Sequence, residues 1–417
     1  MDVTKALFDL VAVGLVAALT PLVVAVLPGP RIPQVVIFLL GGILIGPHVL
    51  GLADAGDISL LANIGLGFLF LLAGYELDPQ LLRQEPGRLA ITGWVMSAIL
   101  AVGVAAALTS AGYIKDYVPV GLALTTTALG TLLPILRDAG LLAGRFGQQV
   151  YAAGAVGELF PILIIAVFLT NRGQFAALAS VTLVGVLALV LSVVPWLTRS
   201  RAVQRIISEG QDATGQITLR WAVVLLFLLL AVASKFGLDV VLGAMLAGMV
   251  LRIWTRRLSM DIASLERKFD AVGYGIFIPI FFVSSGMTID LKAIGQDPLR
   301  LLLLLAMLLV VRGLPSLIVY RRVLPVRQRV EMTFITATSL PLLIALADIG
   351  QQDGVMLPAT AAALVGAGVL SVLIFPLIAV GLHRGASLTP ADVGIRPDQD
   401  RDEAPGSVPG GEAGFGK

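Results

Sequence analysis

Apolar residues come along this chain in blocks of about twenty, long enough at about 1.5 Å per helical residue to cross a hydrocarbon core of roughly 30 Å. Charges, prolines and glycines gather in the short stretches between the blocks. Used as punctuation, they predict seven spans near 6–27, 33–50, 58–76, 89–111, 117–137, 146–170 and 175–196. Six more follow near 219–235, 238–252, 270–288, 299–320, 330–348 and 357–381, the second and ninth of the thirteen being short. The pattern predicts an all-α polytopic membrane protein.

Composition agrees: 57% of the 417 residues are hydrophobic and 13% charged, against roughly a quarter charged in a soluble domain. The absence of cysteine excludes disulfides, iron–sulfur clusters and thiol catalysis, and two distant histidines, His48 and His383, argue against zinc. No cofactor is expected, nor any metal beyond a transported monovalent cation. A net charge of +2 makes no case for a nucleic-acid partner.

The distribution of charge says more than its sum. With thirteen spans, the side of the N-terminus holds six basic loop residues (Lys5, Lys115, Arg172, Lys235, Lys292, Arg300), whereas the opposite loops, from Arg31 to Arg329, hold eighteen. The positive-inside bias then puts the N-terminus outside and the C-terminus in the cytoplasm. The first block lacks a small-residue cleavage site and reads as a retained span.

An internal repeat divides the chain. LFLLAGYELD (69–78) superposes on FFVSSGMTID (281–290) at an offset of 212, matching Phe70/Phe282, Gly74/Gly286 and Asp78/Asp290. TTALGTLLPILRDAG from Thr126 superposes on TATSLPLLIALADIG from Thr336 at 210, matching Thr126/Thr336, Asp138/Asp348 and Gly140/Gly350. The paired elements lie seven spans apart, and seven is odd, so the copies cross the membrane in opposite directions, as in the inverted repeats of secondary transporters. The expected domains are a first repeat plus linking span (1–197), a basic cytoplasmic linker (198–216), a second inverted repeat (217–382) and a disordered cytoplasmic tail (383–417), rich in Gly, Pro, Asp and Ser.

The fifth and twelfth spans place Thr or Ser beside Gly or Pro at mid-membrane depth: Thr125, Thr126, Thr127, Gly130 and Pro134 in one, Thr336, Thr338, Ser339 and Pro341 in the other. Proline removes a backbone donor, so both helices are expected to be discontinuous. Broken backbone at that depth must face protein or a polar cavity, and its freed carbonyls suit a cation. A kinked structural helix is the plainer alternative for either proline alone.

Two charges lie deep in apolar blocks. Glu158 sits about twelve residues from either end of the sixth span, where a carboxylate costs about 2.5–3.5 kcal/mol on insertion scales. Such a group can hold a proton in one state and a partly dehydrated cation in the next, although it could also be a permanently protonated structural residue. Gly157 and Pro161 flank it with special local geometry. Arg312, in the eleventh span, is a fixed positive charge. It can pair with a carboxylate, restrain the broken spans or snorkel to the surface. Asp78, Asp138, Asp290, Asp348, Glu76 and Lys235 sit at span ends and read as solvated or capping groups.

These motifs together resemble the cation:proton antiporter-2 family over about residues 6–382. The pieces that carry the likeness are PQVVIFLLGGILIGPHVLGL (33–52) with FLFLLAGYELD (68–78), and GLDVVLGAMLAGMVL (237–251) with FFVSSGMTIDL (281–291). The resemblance implies paired broken helices crossing at mid-membrane, an ion-binding carboxylate at Glu158, supporting hydroxyls at Thr125, Thr126 and Thr127, and a stabilising basic residue at Arg312. It also implies a homodimer in the plasma (bacterial inner) membrane, in contact with the lipid bilayer. Three departures qualify it. Gly157-Glu158 stands where family members have Asp-Asp, Asn-Asp or Gln-Asp, and Ile37-Phe38 stands where a Gly-Glu is frequent. No Gly-rich nucleotide-binding fingerprint follows the last span, so gating by nucleotide or glutathione is not carried over.

The expected function is exchange of Na+ or K+ for H+ by alternating access, without net charge movement because one carboxylate serves both ions. Ser339, Thr338, Pro341, Pro134 and Gly157 are expected to support the crossing. An ion-coupled carrier of an organic solute is the alternative on the same fold, and a membrane receptor a third. No H-E-x-x-H, G-x-S-x-G or paired intramembrane aspartates support an enzyme.

Overall fold

The computed structural model describes residues 3–26, 33–77, 79–112, 114, 117–168, 174–197, 216–257, 262–289, 291–352 and 354–384. The expected linker up to residue 215, the tail from residue 385, Asp78 and Asp290 lie outside the described residues, as do the side chains of Pro134 and Asp138.

Each predicted block is helical. Among the described residues, ten helical segments are long and apolar enough to cross a membrane, with the shorter apolar segments Gln34–Ile45 and Val118–Leu133 between them. The ninth span, Val240–Arg257, completes thirteen, with Arg252, Arg256 and Arg257 in its last turns. The tenth span begins at Ile262, eight residues before its predicted start, because its first turns carry Glu266, Arg267 and Lys268 and are amphipathic rather than apolar.

Two bundles make up the molecule. The first, second, third, eighth, ninth and tenth spans pack together, and so do the fourth, fifth, sixth, eleventh, twelfth and thirteenth, while the seventh, Gln174–Leu197, lies against the sixth, eighth and ninth. The inverted repeat is visible in how the first bundle closes. The third span, Ser59–Glu76, packs on the ninth as the second packs on the tenth. A Cβ on Gly74 would lie 2.1 Å from the Met245 carbonyl oxygen, and one on Gly286 2.3 Å from that of Leu39. Reciprocally, a Cβ on Gly248 would lie 2.1 Å from the Leu71 carbonyl oxygen and one on Gly42 2.0 Å from that of Val283. The two sets are the same contact made twice, since backbones meet this closely in a membrane only where the interface residue is small.

The second bundle contains the two discontinuous helices. The fifth span divides into Tyr117–Leu124 and Leu129–Asp138, the twelfth into Val326–Ala337 and Pro341–Gln352. Pro341 opens its second half-helix, a position where its missing N–H costs nothing. Pro134 does not mark the other break, contrary to expectation. There the chain leaves the helix a turn earlier, where Thr125 and Thr126 turn their hydroxyls back onto the Leu122 and Ala123 carbonyls (2.8 and 2.7 Å) and compete with the continuing ladder. Instead, Pro134 deprives the Gly130 carbonyl of its i+4 donor inside the second half-helix.

Two other helices are interrupted by single π turns. Gly273–Phe277 lies within the tenth span and Leu309–Gly313 within the eleventh. Phe277 stacks flat on Phe68 of the third span, centroids 4.9 Å apart, which fixes the first of these turns in place.

Candidate functional site

The breaks meet. Ala128 N–H donates to the Thr338 carbonyl (2.9 Å), Thr127 Oγ1 donates to the Thr336 carbonyl (2.6 Å), and the hydroxyls of Thr126 and Ser339 are 2.5 Å apart. Thr338 turns its own hydroxyl onto the Phe334 carbonyl, 2.9 Å away. All of these side chains are buried.

Glu158 reaches this crossing from the sixth span, Gly144–Phe168. Its Oε1 accepts from Gly130 N–H at 3.4 Å, and Leu129 N–H lies on the same side of the carboxyl group. Leu129 opens the second half of the fifth span, so the carboxylate occupies a helix N-terminus, where unsatisfied amides and the helix dipole favour negative charge. Glu158 is 4% exposed, and its Oε2 is buried with no hydrogen-bond partner among the described residues. One carboxylate oxygen thus has a donor and the other has none among the described residues.

Arg312 comes from the π turn of the eleventh span and is 3% exposed, so it does not snorkel. Its Nε donates to Thr127 Oγ1 (2.8 Å) and its Nη2 to the Ala153 carbonyl (2.9 Å). Because Thr127 passes its own proton to the Thr336 carbonyl, the positive charge bears on the C-terminal end of the first half of the twelfth span, the end its dipole favours. Gly157 makes room for this. A Cβ there would lie 2.6 Å from Thr127 Cβ and 2.7 Å from Arg312 Nη2, while the Gly157 carbonyl accepts from Thr127 N–H at 3.1 Å. Among the described residues no ion pair joins Arg312 to Glu158.

The expected residues Thr125, Thr126, Thr127, Gly157, Glu158, Arg312, Thr338, Ser339 and Pro341 therefore converge on one crossing. Thr125 spends its hydroxyl on its own helix end, Thr126 shares its hydroxyl between the Ala123 carbonyl and the Ser339 hydroxyl, and Thr127 sits at the centre of the network. Three participants were not foreseen. Ser371 of the thirteenth span, Pro358–Arg384, accepts from Ser339 N–H at 3.1 Å. Tyr274 of the tenth span donates its hydroxyl to the Gly130 carbonyl at 3.2 Å. Glu76 is not a solvated end, since its Oε2 is buried without a partner among the described residues.

A cavity of 1480 Å³ leads to the crossing between the two bundles. Its walls include Glu76, Asp270 and Tyr274 on one side and Gly130, Arg137 and Tyr151 on the other. Gly130 thus has one face on the cavity and its N–H on Glu158.

The profile of the family described as sodium/hydrogen exchanger, transmembrane, matches residues 14–382. A putative Na(+)/H(+) antiporter of Bacillus subtilis, YjbQ, is 28% identical over 399 residues, covering 90% of this chain and 63% of its own length. The glutathione-regulated potassium-efflux protein KefC of Salmonella schwarzengrund is 26% identical, over 100% of this chain and 66% of its own. The chain thus spans under two thirds of the length of these relatives. Probable Na(+)/H(+) antiporter 3 of Methanocaldococcus jannaschii is 24% identical over 84% of this chain and 90% of its own length. In fold, the chain matches the sodium proton antiporter MjNhaP1 of Methanocaldococcus jannaschii with a TM-score of 0.65, at 17% identity, over 91% of this chain and 97% of the other. With this fold, these paired broken helices and a match from residue 14 to residue 382, the chain belongs to the sodium/hydrogen exchanger transmembrane family.

Proposed function

We propose that this chain exchanges a monovalent cation, Na+ or K+, for H+ across the membrane by alternating access, with Glu158 as the carboxylate that the two ions share. The observation that carries the reading is the buried, unpartnered Oε2 of Glu158 at a half-helix N-terminus beside a wide cavity. The names of its relatives as antiporters support it.

The charge balance follows from the residues. Protonated Glu158 is neutral, and ionised Glu158 with a bound monovalent cation is neutral as a pair. Arg312 keeps its charge throughout and so adds equally to both transits. One proton then crosses for one cation with no net charge moved. The bundle that carries both breaks, Glu158 and Arg312 is the moving part, and the glycine-packed bundle is the scaffold. Assembly as a homodimer in the plasma membrane, with the N-terminus outside and the C-terminus cytoplasmic, belongs to the same proposal and rests on the basic-residue asymmetry and the resemblance.

Purified protein in liposomes with an imposed pH gradient tests this. Added Na+ or K+ should dissipate the gradient at a rate indifferent to membrane potential, and Glu158→Gln should abolish the effect. Native-rate exchange by Glu158→Gln would refute the role of Glu158, and a response to potential would refute electroneutrality.

A second reading has one observation in its favour. The cavity is large enough for an organic solute. In that case radiolabelled organic solutes, not alkali cations, would be moved by the protein in the same liposomes.

A further inference from the structure

Two π turns among the described residues do something in common. Each lies in the second repeat, and each presents a side chain to the break in the fifth span: Arg312 to Thr127, and Tyr274 to Gly130. An inserted residue of this kind re-aims a side chain out of helical register and recurs at functional sites. Arg312 has a place in the proposed exchange. Tyr274 has none so far.

Its target is unusual. Within Leu129–Asp138 the Gly130 carbonyl would accept from the amide four residues on, but that residue is Pro134, which has no N–H. The carbonyl is therefore an orphan at membrane depth, and the Tyr274 hydroxyl fills the gap at 3.2 Å. Both groups line the 1480 Å³ cavity, and Tyr274 is 36% exposed. On its other side the same glycine offers its N–H to Glu158 Oε1. A carbonyl oxygen has two lone pairs, and a hydroxyl that donates its proton turns its own lone pairs away from the acceptor. Two oxygen ligands with unused lone pairs thus sit on the cavity wall, one residue from the ion-binding carboxylate.

We propose that the Gly130 carbonyl and the Tyr274 hydroxyl form a staging site where a monovalent cation coming from the cavity sheds part of its hydration shell before it reaches Glu158. The proposal rests on the exchange reading above. Carbonyl and hydroxyl oxygens carry no net charge, so the site holds the cation weakly enough to release it to the carboxylate. Their fixed spacing also makes the step sensitive to ionic radius, so Tyr274 is assigned as a specificity-determining residue.

The test uses the full chain in liposomes and reads exchange rate against Na+, K+ and Li+ concentration at fixed pH. Tyr274→Phe keeps the ring and removes only the hydroxyl. It should raise the cation KM about tenfold, more than it changes the maximal rate, and unequally among the three cations. Pro134→Ala is an independent probe, since it restores an amide that competes for the same carbonyl. It should raise the cation KM in the same direction with Tyr274 intact. A KM within twofold of the unaltered protein in either variant overturns the proposal. So does a faster maximal rate at unchanged KM in Tyr274→Phe, which would make the bond a mere tie between the bundles. If the unaltered protein exchanges none of these cations, the exchange reading itself fails. That result is distinct, because it is scored before any variant is compared.

Discussion

At the second break of the crossing, Ser371 occupies the place that Glu158 has at the first. The positions are 213 residues apart (371 against 158), close to the 210 that relates the two broken spans, and each side chain faces the start of a second half-helix. Leu129 N–H lies on the Gly130 side of the Glu158 carboxyl group, and Ser339 N–H, 210 residues on, donates to Ser371 Oγ. The backbone need is the same at both breaks, and the answers differ in charge. A serine hydroxyl accepts one amide and returns its proton to the Gly368 or Ser339 carbonyl (2.7 and 2.9 Å), so its one oxygen is already engaged in both roles and carries no charge. A carboxylate accepts the Gly130 amide with one oxygen and leaves the other unpartnered among the described residues. The fold repeats, but only one copy keeps a ligand atom in reserve.

Several substitutions put this contrast to the test. After loss of the Glu158 carboxylate, the largest effect is expected from Arg312→Ala, which strips the Ala153 carbonyl and Thr127 of a charged donor at the centre of the crossing. Loss of two such bonds costs about 3 kcal/mol or more, so thermal unfolding of the detergent-solubilised protein should shift down and exchange should fall at least tenfold. Arg312→Lys, which keeps the charge without the two-point geometry, should recover part of both. Next comes Gly157→Ala. The added methyl meets Thr127 and Arg312 below 3 Å, and overpacking of this kind costs roughly 1–3 kcal/mol. Its exchange rate should fall more than its unfolding temperature would suggest, since the clash sits on the Arg312–Thr127 bond. The smallest effect is expected from Ser371→Ala. It removes a neutral cap worth about 1 kcal/mol and should lower thermal stability slightly while cation KM stays put. A large rise in cation KM for Ser371→Ala would mean that both breaks bind the ion and that the contrast is false.

The count of spans was legible because length and apolarity alone decide whether a helix can cross a bilayer. Glu158 and Arg312 were legible because a charge in an apolar block is conspicuous. The break at Thr125–Ala128 was half legible. Its threonines stood out, but Pro134 drew the break a turn too late, because a proline within a helix is tolerated where another group serves the orphaned carbonyl. Which group does so depends on contacts between spans that lie far apart in sequence, and apolar periodicity holds no record of them. An inserted π-turn residue has no composition of its own, so the re-aimed Tyr274 left only the faint signal of a tyrosine between two glycines. Ser371 left a better one, as a polar residue in an apolar span at nearly the repeat offset from Glu158. Glu76 was misjudged because a carboxylate at a span end is ordinarily wet, whereas here it closes onto a cavity wall.

The reciprocal glycine contacts have a consequence for how the protein is made. Gly42 and Gly74 emerge in the first half of the chain, but the carbonyls they abut, on Val283 and Met245, belong to the second. During synthesis the second and third spans must wait in the bilayer, their notched faces covered by lipid, until the ninth and tenth have been inserted. A nascent chain stopped at the midpoint would hold a second and a third span that cross the membrane and yet lack the helices their glycine faces fit, which makes insertion of the late spans, rather than of the early ones, the step that completes this bundle.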